Sequence, residues 1–204
     1  MINPNDGASC SSVGGSGSSS DASGSLAGAP ITVRPARMDD AGPIHSIVSS
    51  SMRIYCSNSR IPEDKLDVSC ETVDDVRTAI LSCPFFVAVD AANAIVGSVR
   101  LLSRTVSSFG VPELPEKLAL SPGTPVSYFS RFAVHEDLQG LGIGNLLFQA
   151  AAAHAAEEQS PYMLLHTSLS NEIMVSFYKK RGFVLLYEDP TRGYPRGLFG
   201  KKLL

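Results

Sequence analysis

Arg131-Phe-Ala-Val-His-Glu-Asp-Leu-Gln-Gly-Leu-Gly-Ile-Gly144 is the stretch on which the fold of this chain turns. It begins inside an apolar strand, Val126–Val134, and passes through three glycines into a segment with helical period. Ile143, Leu146, Leu147, Ala150, Ala151 and His154 mark one face of that helix. A helix starting inside a glycine turn exposes unsatisfied N–H groups and the positive end of its dipole, which suits a phosphate or pyrophosphate. Glycines let the backbone approach the anion without a Cβ in the way. A plain glycine-rich strand–helix turn is the competing reading of this fragment taken alone. Two phosphate loops fail on spacing. A dinucleotide fingerprint starting at Gly140 needs glycine at 145 and finds Asn145, and the Gly-Lys-Ser/Thr of a Walker A loop is absent.

Upstream, Ile31–Arg34 is a short β-branched run closed by Pro35, and Asp39 and Asp40 offer an N-cap. Ile44, Ile47, Val48, Ser51, Met52 and Tyr55 then form one helical face, and Val73, Val76, Ile80 and Leu81 repeat the period before Pro84. Phe85–Asp90 and Ile95–Arg104 predict a hairpin around Ala91-Ala-Asn-Ala94. Residues 105–125 hold Pro112, Pro115, Pro122 and Pro125, which exclude a long helix and predict a functional or mobile loop. Downstream, Tyr162–His166 is a strand, and Ser170 or Asn171 caps a helix running to Arg181, with Gly182 as its C-cap. Phe183–Tyr187 and Leu198–Leu203 are final strands around a Pro/Gly-rich loop. The order predicts an α+β domain rather than regular βαβ winding.

The chain has 204 residues, 17 Lys+Arg and 20 Asp+Glu. Fifteen of its first thirty residues are Ser or Gly, and the first basic residue is Arg34. Such a stretch buries too little apolar surface to offset its ordering entropy, so 1–30 is expected to be a disordered tail before a single domain at 31–204. The domain is nearly neutral, which argues against nucleic acid as a partner, and no apolar run reaches membrane-spanning length. Without early Lys or Arg, no secretory or transit segment is expected; Ile2 excludes N-myristoylation. Cys10, Cys56, Cys70 and Cys83 form no C-x-x-C pair. The expectation is reduced thiols, no metal, and a cytoplasmic or nuclear location.

A second pattern follows the first in order: Leu164-Leu-His-Thr-Ser-Leu-Ser-Asn171, then Phe177-Tyr-Lys-Lys-Arg-Gly-Phe183. The glycine loop resembles the acetyl-CoA loop, Q/R-x-x-G-x-G/A, of the GNAT superfamily of N-acetyltransferases. The strand, Asn, Tyr-bearing helix and Gly-Phe resemble the family's other signature. The resemblance covers residues 31–204. It implies a mixed central sheet of about seven strands flanked by about four helices, with the fourth and fifth strands splayed around CoA. It also implies that Phe132, Ala133 and Val134 border the pantetheine, with backbone hydrogen bonds from Phe132 and Val134. The N–H groups of Gln139, Gly140, Leu141, Gly142, Ile143 and Gly144, with Asn145 beside them, would hold the pyrophosphate. Asn171 matches the family Asn near the pantetheine, and Tyr178 the Tyr that faces the thioester sulfur.

Acyl transfer to an amine needs a base for the ammonium and benefits from an acid for the departing thiolate. By resemblance Tyr178 is the acid. The family's two base positions hold Tyr128 and His166, and Tyr128, His166 and Tyr178 together are most similar to N-alpha-acetyltransferase catalytic subunits. For His166 alone, a satisfied core histidine is the competing reading. Ser130 shares the face of Tyr128 by period-2 alternation and, with Tyr55 and Tyr194, is assigned to the acceptor side. Lys179, Lys180 and Arg181 read as a solvated helix face more readily than as ligands of the 3′-phosphate. Acceptor choice in the family lies in the connection after the first helix and in the last hairpin, here about 53–70 and 188–197. The apolar-Pro wedge and tandem tyrosines of the N-terminal enzymes are missing. The acceptor is thus a peptide N-terminus or a small amine or polyamine, and a non-catalytic acyl-CoA sensor is the reading from another class.

Overall fold

Alternating apolar side chains along seven strands leave each strand with two faces to cover, and the chain gathers them into one sheet. The computed structural model describes residues 30–61, 71–191 and 193–204. The expected tail, residues 62–70 with Cys70, and Arg192 lie outside the described residues. The strands are β1 (Thr32–Pro35), β2 (Phe85–Val89), β3 (Ile95–Thr105), β4 (Pro125–Val134), β5 (Tyr162–Ser168), β6 (Val184–Asp189) and β7 (Arg196–Lys202). Their spatial order is β1-β2-β3-β4-β5-β7-β6. Every neighbouring pair is antiparallel except β4–β5, which is parallel.

That parallel pair is the break in the sheet. It is in register only at Ser127↔Met163 and Tyr128↔Leu164, and beyond those residues β4 and β5 part. On the other side of β4 the register with β3 shifts between Ser98 and Arg100, where Arg131 adopts a left-handed φ of 49°. A bulge of this kind bends a strand. The left-handed conformation costs an L residue about 1–2 kcal/mol, so it needs fixing by its surroundings. The Glu71 carboxylate accepts from Arg131 Nε at 2.9 and 3.1 Å, and Ser98 Oγ donates to the Arg131 carbonyl at 3.1 Å.

Helices cover both faces. α1 (Ala41–Ser59) and α2 (Val73–Ser82) pack Ile44, Val48 and Val76 against Phe85 and Val87 of β2. α4 (Ile143–Glu157) and α5 (Glu172–Lys179) cover the opposite face, where Leu147, Phe148 and Tyr178 meet Phe129, Leu165 and Phe199. The expected Asp40 cap takes another form. Its side chain makes no cap bond to α1; it pairs with Arg34 at 2.6 Å and accepts from the Arg37 N–H. The expected Asn171 cap is present, accepting from Met174 N–H at 3.1 Å.

The proline-bearing stretch 105–125 departs most from the sequence reading. It is a 3₁₀ turn (Val106–Phe109) followed by a one-turn helix, α3 (Leu114–Leu118), a fifth helix beyond the four expected. Val106, Val111, Leu114 and Leu118 are buried against Val126, Leu164 and Leu198. The prolines do limit helix length, with Pro115 inside the first turn where its missing N–H costs nothing. Four apolar residues spaced across a turn and a short helix give no period to read, yet they close the sheet face that α1 and α2 leave open.

Candidate active site

Where β4 and β5 separate, a cleft of about 530 Å³ passes between them. Residues opposite one another on antiparallel strands share a face, which locates each side chain around it. Tyr128 and Ser130 of β4 lie on the face of α1 and α3, with Leu102 and Arg100 of β3 opposite them. His166 of β5 shares that face with Leu198 of β7, as Ser168 does with Arg196. Phe129 belongs to the other face, where it meets the Tyr178 ring edge-on at 6.1 Å.

Tyr128 and His166 are brought together. The phenol oxygen and His166 Nδ1 are 3.1 Å apart, and the rings meet edge-on at 5.7 Å. Phe109, from the 3₁₀ turn before α3, packs against both rings at 5.7 and 6.2 Å. Burial pushes the Tyr128 phenol above its ordinary pKa, although Arg104, Arg196, Arg131 and Arg100 oppose the rise. Tyr178 is 5% exposed and lines the cleft. Burial drives its pKa far up, the nearby phenols Tyr55 and Tyr128 add to this, and Arg181 opposes it. Among the described residues nothing hydrogen-bonds to its hydroxyl. Neither phenol ionises near neutrality, so each is a proton carrier that stays protonated at rest.

The glycine loop has the form of an anion cradle. Gly140 and Gly142 both have φ 85°, and a Cβ at either would meet nothing within 4 Å. Ile143 and Gly144 are the first residues of α4, and their N–H groups, with those of Gly140, Leu141 and Gly142, have no partner among the described residues. Gln139 differs: its N–H bonds the Glu136 carbonyl at 3.2 Å, and its side chain reaches the Val134 carbonyl at 3.3 Å. Phe132 and Ala133 border the cleft on the edge of β4 that β5 has left, so an extended chain entering there meets backbone groups with no strand partner. The Val134 carbonyl already accepts from Ser51 and Gln139. A pyrophosphate and an extended amide arm both fit what these residues offer.

Other expected residues have their polar atoms engaged in structure. Asn171 is 2% exposed, caps α5, and donates to Ser59 Oγ at 3.1 Å. The Tyr55 hydroxyl accepts from Ser168 N–H at 2.5 Å and lies 3.3 Å from Thr167 Oγ1, tying α1 to β5 beside the cleft. Ser130 Oγ donates to the Arg100 carbonyl, and Tyr194 lines the cleft from the last hairpin.

Arg181 is not on a solvated face. Its guanidinium lies 3.4 Å over the Phe177 ring and donates to the Phe177 carbonyl and Asn145 Oδ1; Nε is buried without a partner. Burial lowers its pKa, against the pull of Tyr178. It lines the cleft beside the start of α4. Its sequence neighbours Lys179 and Lys180 hid it, because the end of a helix leaves the direction of each side chain open. Glu71, Arg131 and Arg196 also carried no motif that singled them out. Among the described residues no cluster of His, Cys, Asp and Glu is arranged to hold a metal, and no helix is long and apolar enough to cross a membrane.

The family model of the acetyltransferase (GNAT) family matches residues 54–183, which run from the end of α1 through the glycine loop to Phe183. The chain belongs to the GNAT family of acetyltransferases. Its architecture is that of GNAT enzymes of known structure. The PaiA N-acetyltransferase from Thermoplasma acidophilum, solved with coenzyme A, superposes with a TM-score of 0.64 at 15% identity, over 85% of this chain and 99% of the other. A NatC complex bound to Gag peptide and CoA gives 0.63 at 15% identity, over 85% and 99%. In sequence, 75 residues are 40% identical to the tRNA(Met) cytidine acetyltransferase TmcA of Aeropyrum pernix. That match spans 36% of this chain and only 10% of TmcA.

Proposed function

We propose that this GNAT acetyltransferase moves an acetyl group from acetyl-CoA to the nitrogen of a primary amine. The hydrogen-bonded Tyr128–His166 pair and the buried phenol of Tyr178, meeting in one cleft between β4 and β5, carry the reading. Acetyl-CoA supplies the acyl group as a thioester, with its pyrophosphate on the free N–H groups of Gly140–Gly144 and its pantetheine along the open edge at Phe132 and Ala133. The solved relative bound to coenzyme A supports that assignment.

An alkylammonium has no lone pair and must lose a proton to attack. The Tyr128 hydroxyl receives that proton, directly or through a water, as it passes its own to His166 Nδ1. The high pKa of the phenol makes it a relay, and the imidazole is the group that holds charge. On the other side of the cleft Tyr178 gives its proton to the departing sulfur. The carbon–sulfur bond breaks and a carbon–nitrogen bond forms. The nitrogen loses two protons on the way from ammonium to amide: the first goes to His166, and the second, released once the nitrogen has attacked, restores the proton that Tyr178 gives to sulfur. The same trio is what makes the chain resemble N-alpha-acetyltransferase subunits, and the peptide-bound NatC neighbour supports an α-amino acceptor. A sensor that only bound acyl-CoA has no use for this acid–base pair.

Thiol release from acetyl-CoA across a panel of peptides and small amines tests the reading, with Tyr178→Phe as control. The variant is expected to lower kcat about 100-fold while acetyl-CoA binds with unchanged affinity. Undiminished turnover removes Tyr178 from the chemistry.

A further inference from the structure

Among the described residues, the charged side chains that line the cleft are of one sign. Three charged residues line the cleft among the described residues, and all are arginines: Arg131, Arg181 and Arg196. Arg181 sits beside Asn145 on the cofactor side. The other two flank Tyr128 and His166, and two further arginines stand behind them. Arg104 lies on the face of Tyr128, its guanidinium 5.0 Å from the ring centre. Arg100 Nε reaches Ser130 Oγ at 3.3 Å.

Among the described residues two carboxylates pair with three of these four cations. Glu71 takes Arg131 through Nε alone and Arg100 at 3.5 Å. Asp189 takes Nε and one terminal nitrogen of Arg196 through a single oxygen, Oδ2, its other oxygen being held by Thr191. These contacts hold the guanidiniums in place and leave the terminal nitrogens of Arg131 without a partner among the described residues. Arg104 makes no ion pair there. A polyamine brought to Tyr128 would meet the like charge of these arginines, all four of which act on the Tyr128 phenol.

We infer that the acceptor is an amine carrying a carboxylate a few atoms from its nitrogen, the carboxylate held by Arg131 and Arg196 while the amine faces Tyr128 and His166. A planar guanidinium with free terminal N–H groups matches a carboxylate in geometry as well as charge. The source of that chemistry is a free amino acid or an acidic residue at a peptide N-terminus. This inference rests on the acetyl transfer proposed above and adds the acceptor class to it.

The test measures kcat/KM by thiol release for matched acceptors, with acetyl-CoA binding followed separately by calorimetry on the full chain. Leucine is compared with leucinamide and isopentylamine, and a peptide starting with Asp with its Asn twin; spermidine is the cationic arm. The expected result is at least a tenfold preference for the carboxylate member of one matched set, which also names the source. Arg196→Gln and the exposed Arg104→Gln should each raise KM for that acceptor about tenfold without altering acetyl-CoA affinity. Rates on the neutral twins or spermidine that equal or exceed those of the acids overturn the inference and leave acetyl transfer standing. Acetyl-CoA binding with no release on any acceptor also overturns it. Failure to bind acetyl-CoA at all overturns the acetyl-transfer reading beneath it.

Discussion

Three aromatic side chains of ordinary type acquire distinct roles from where they lie. Tyr178 is shut among Phe129, Phe132, Phe177 and Phe183, and its phenol is held protonated by the lack of solvent for the anion. Tyr128 is held protonated for the same first reason, but its oxygen touches an imidazole. In the proposed relay the imidazole of His166 is the group that ends with the proton. Once protonated it accepts nothing further. The rate of the unaltered chain is therefore expected to fall on the acid side, and His166→Ala to lose about 100-fold in kcat and to flatten that limb. A pH–rate profile of kcat/KM checks this; an acid limb surviving in the variant moves the base elsewhere.

At the scale of the element, the glycine loop and the last hairpin each depend on a local device. Gly142 is the N-cap of α4 at φ 85°, where any L side chain is strained by about 1–2 kcal/mol. A Cβ there meets no protein atom within 4 Å, so Gly142→Val should fold while its side chain stands in the space an anion needs. Calorimetric titration with CoA should show at least tenfold weaker binding, and unchanged affinity would dissociate the loop from the cofactor. In the last hairpin Asp189 joins the end of β6 to Arg196 at the start of β7. Burial raises its pKa, but the hydrogen bonds from Thr191 and Arg196 outweigh that and bring it down to about 2. A carboxyl whose folded pKa is depressed contributes stability that is present above the unfolded value, about 3.9, and lost as pH falls through the folded one. Thermal unfolding should therefore show that Asp189→Asn lowers Tm at pH 7 and that the difference from the unaltered chain closes between about pH 4 and pH 2.

Across the whole molecule, the segment 105–125 matters as a wall. It covers β4, β5 and β7 on the face opposite α4, and through Phe109 it braces the Tyr128–His166 pair. Phe109→Ala should cost about 1–2 kcal/mol of stability and lower kcat about tenfold, because both rings lose the neighbour that sets their angle. Leu118→Ala, in the same apolar cluster but on α3 rather than on the turn that carries Phe109, should lose about 2–4 kcal/mol and keep its kcat. Equal effects of the two changes on kcat would reduce the segment to packing alone.

What the sequence determined by itself was whatever is written in neighbouring residues. Periodicity placed seven strands and four long helices, and the spacing of three glycines before an apolar helix marked a turn suited to an anion, because N–H exposure and left-handed φ are local properties of the backbone. The family patterns placed Tyr128, His166 and Tyr178 on their elements. What tertiary structure decided was everything that depends on residues far apart in the chain. Glu71 holds Arg131 from 60 residues away, and that hold stabilises the bulge beside which β4 leaves β5. Phe109 reaches His166 only because a segment without period folds over the sheet. The charge of the acceptor region was equally illegible, since mixed charges along the chain cancel in composition. Folding brings Arg100, Arg104, Arg131 and Arg196 within electrostatic reach of Tyr128 while Glu71 and Asp189 hold three of them, and a field of that kind depends on distance in space rather than on order in sequence.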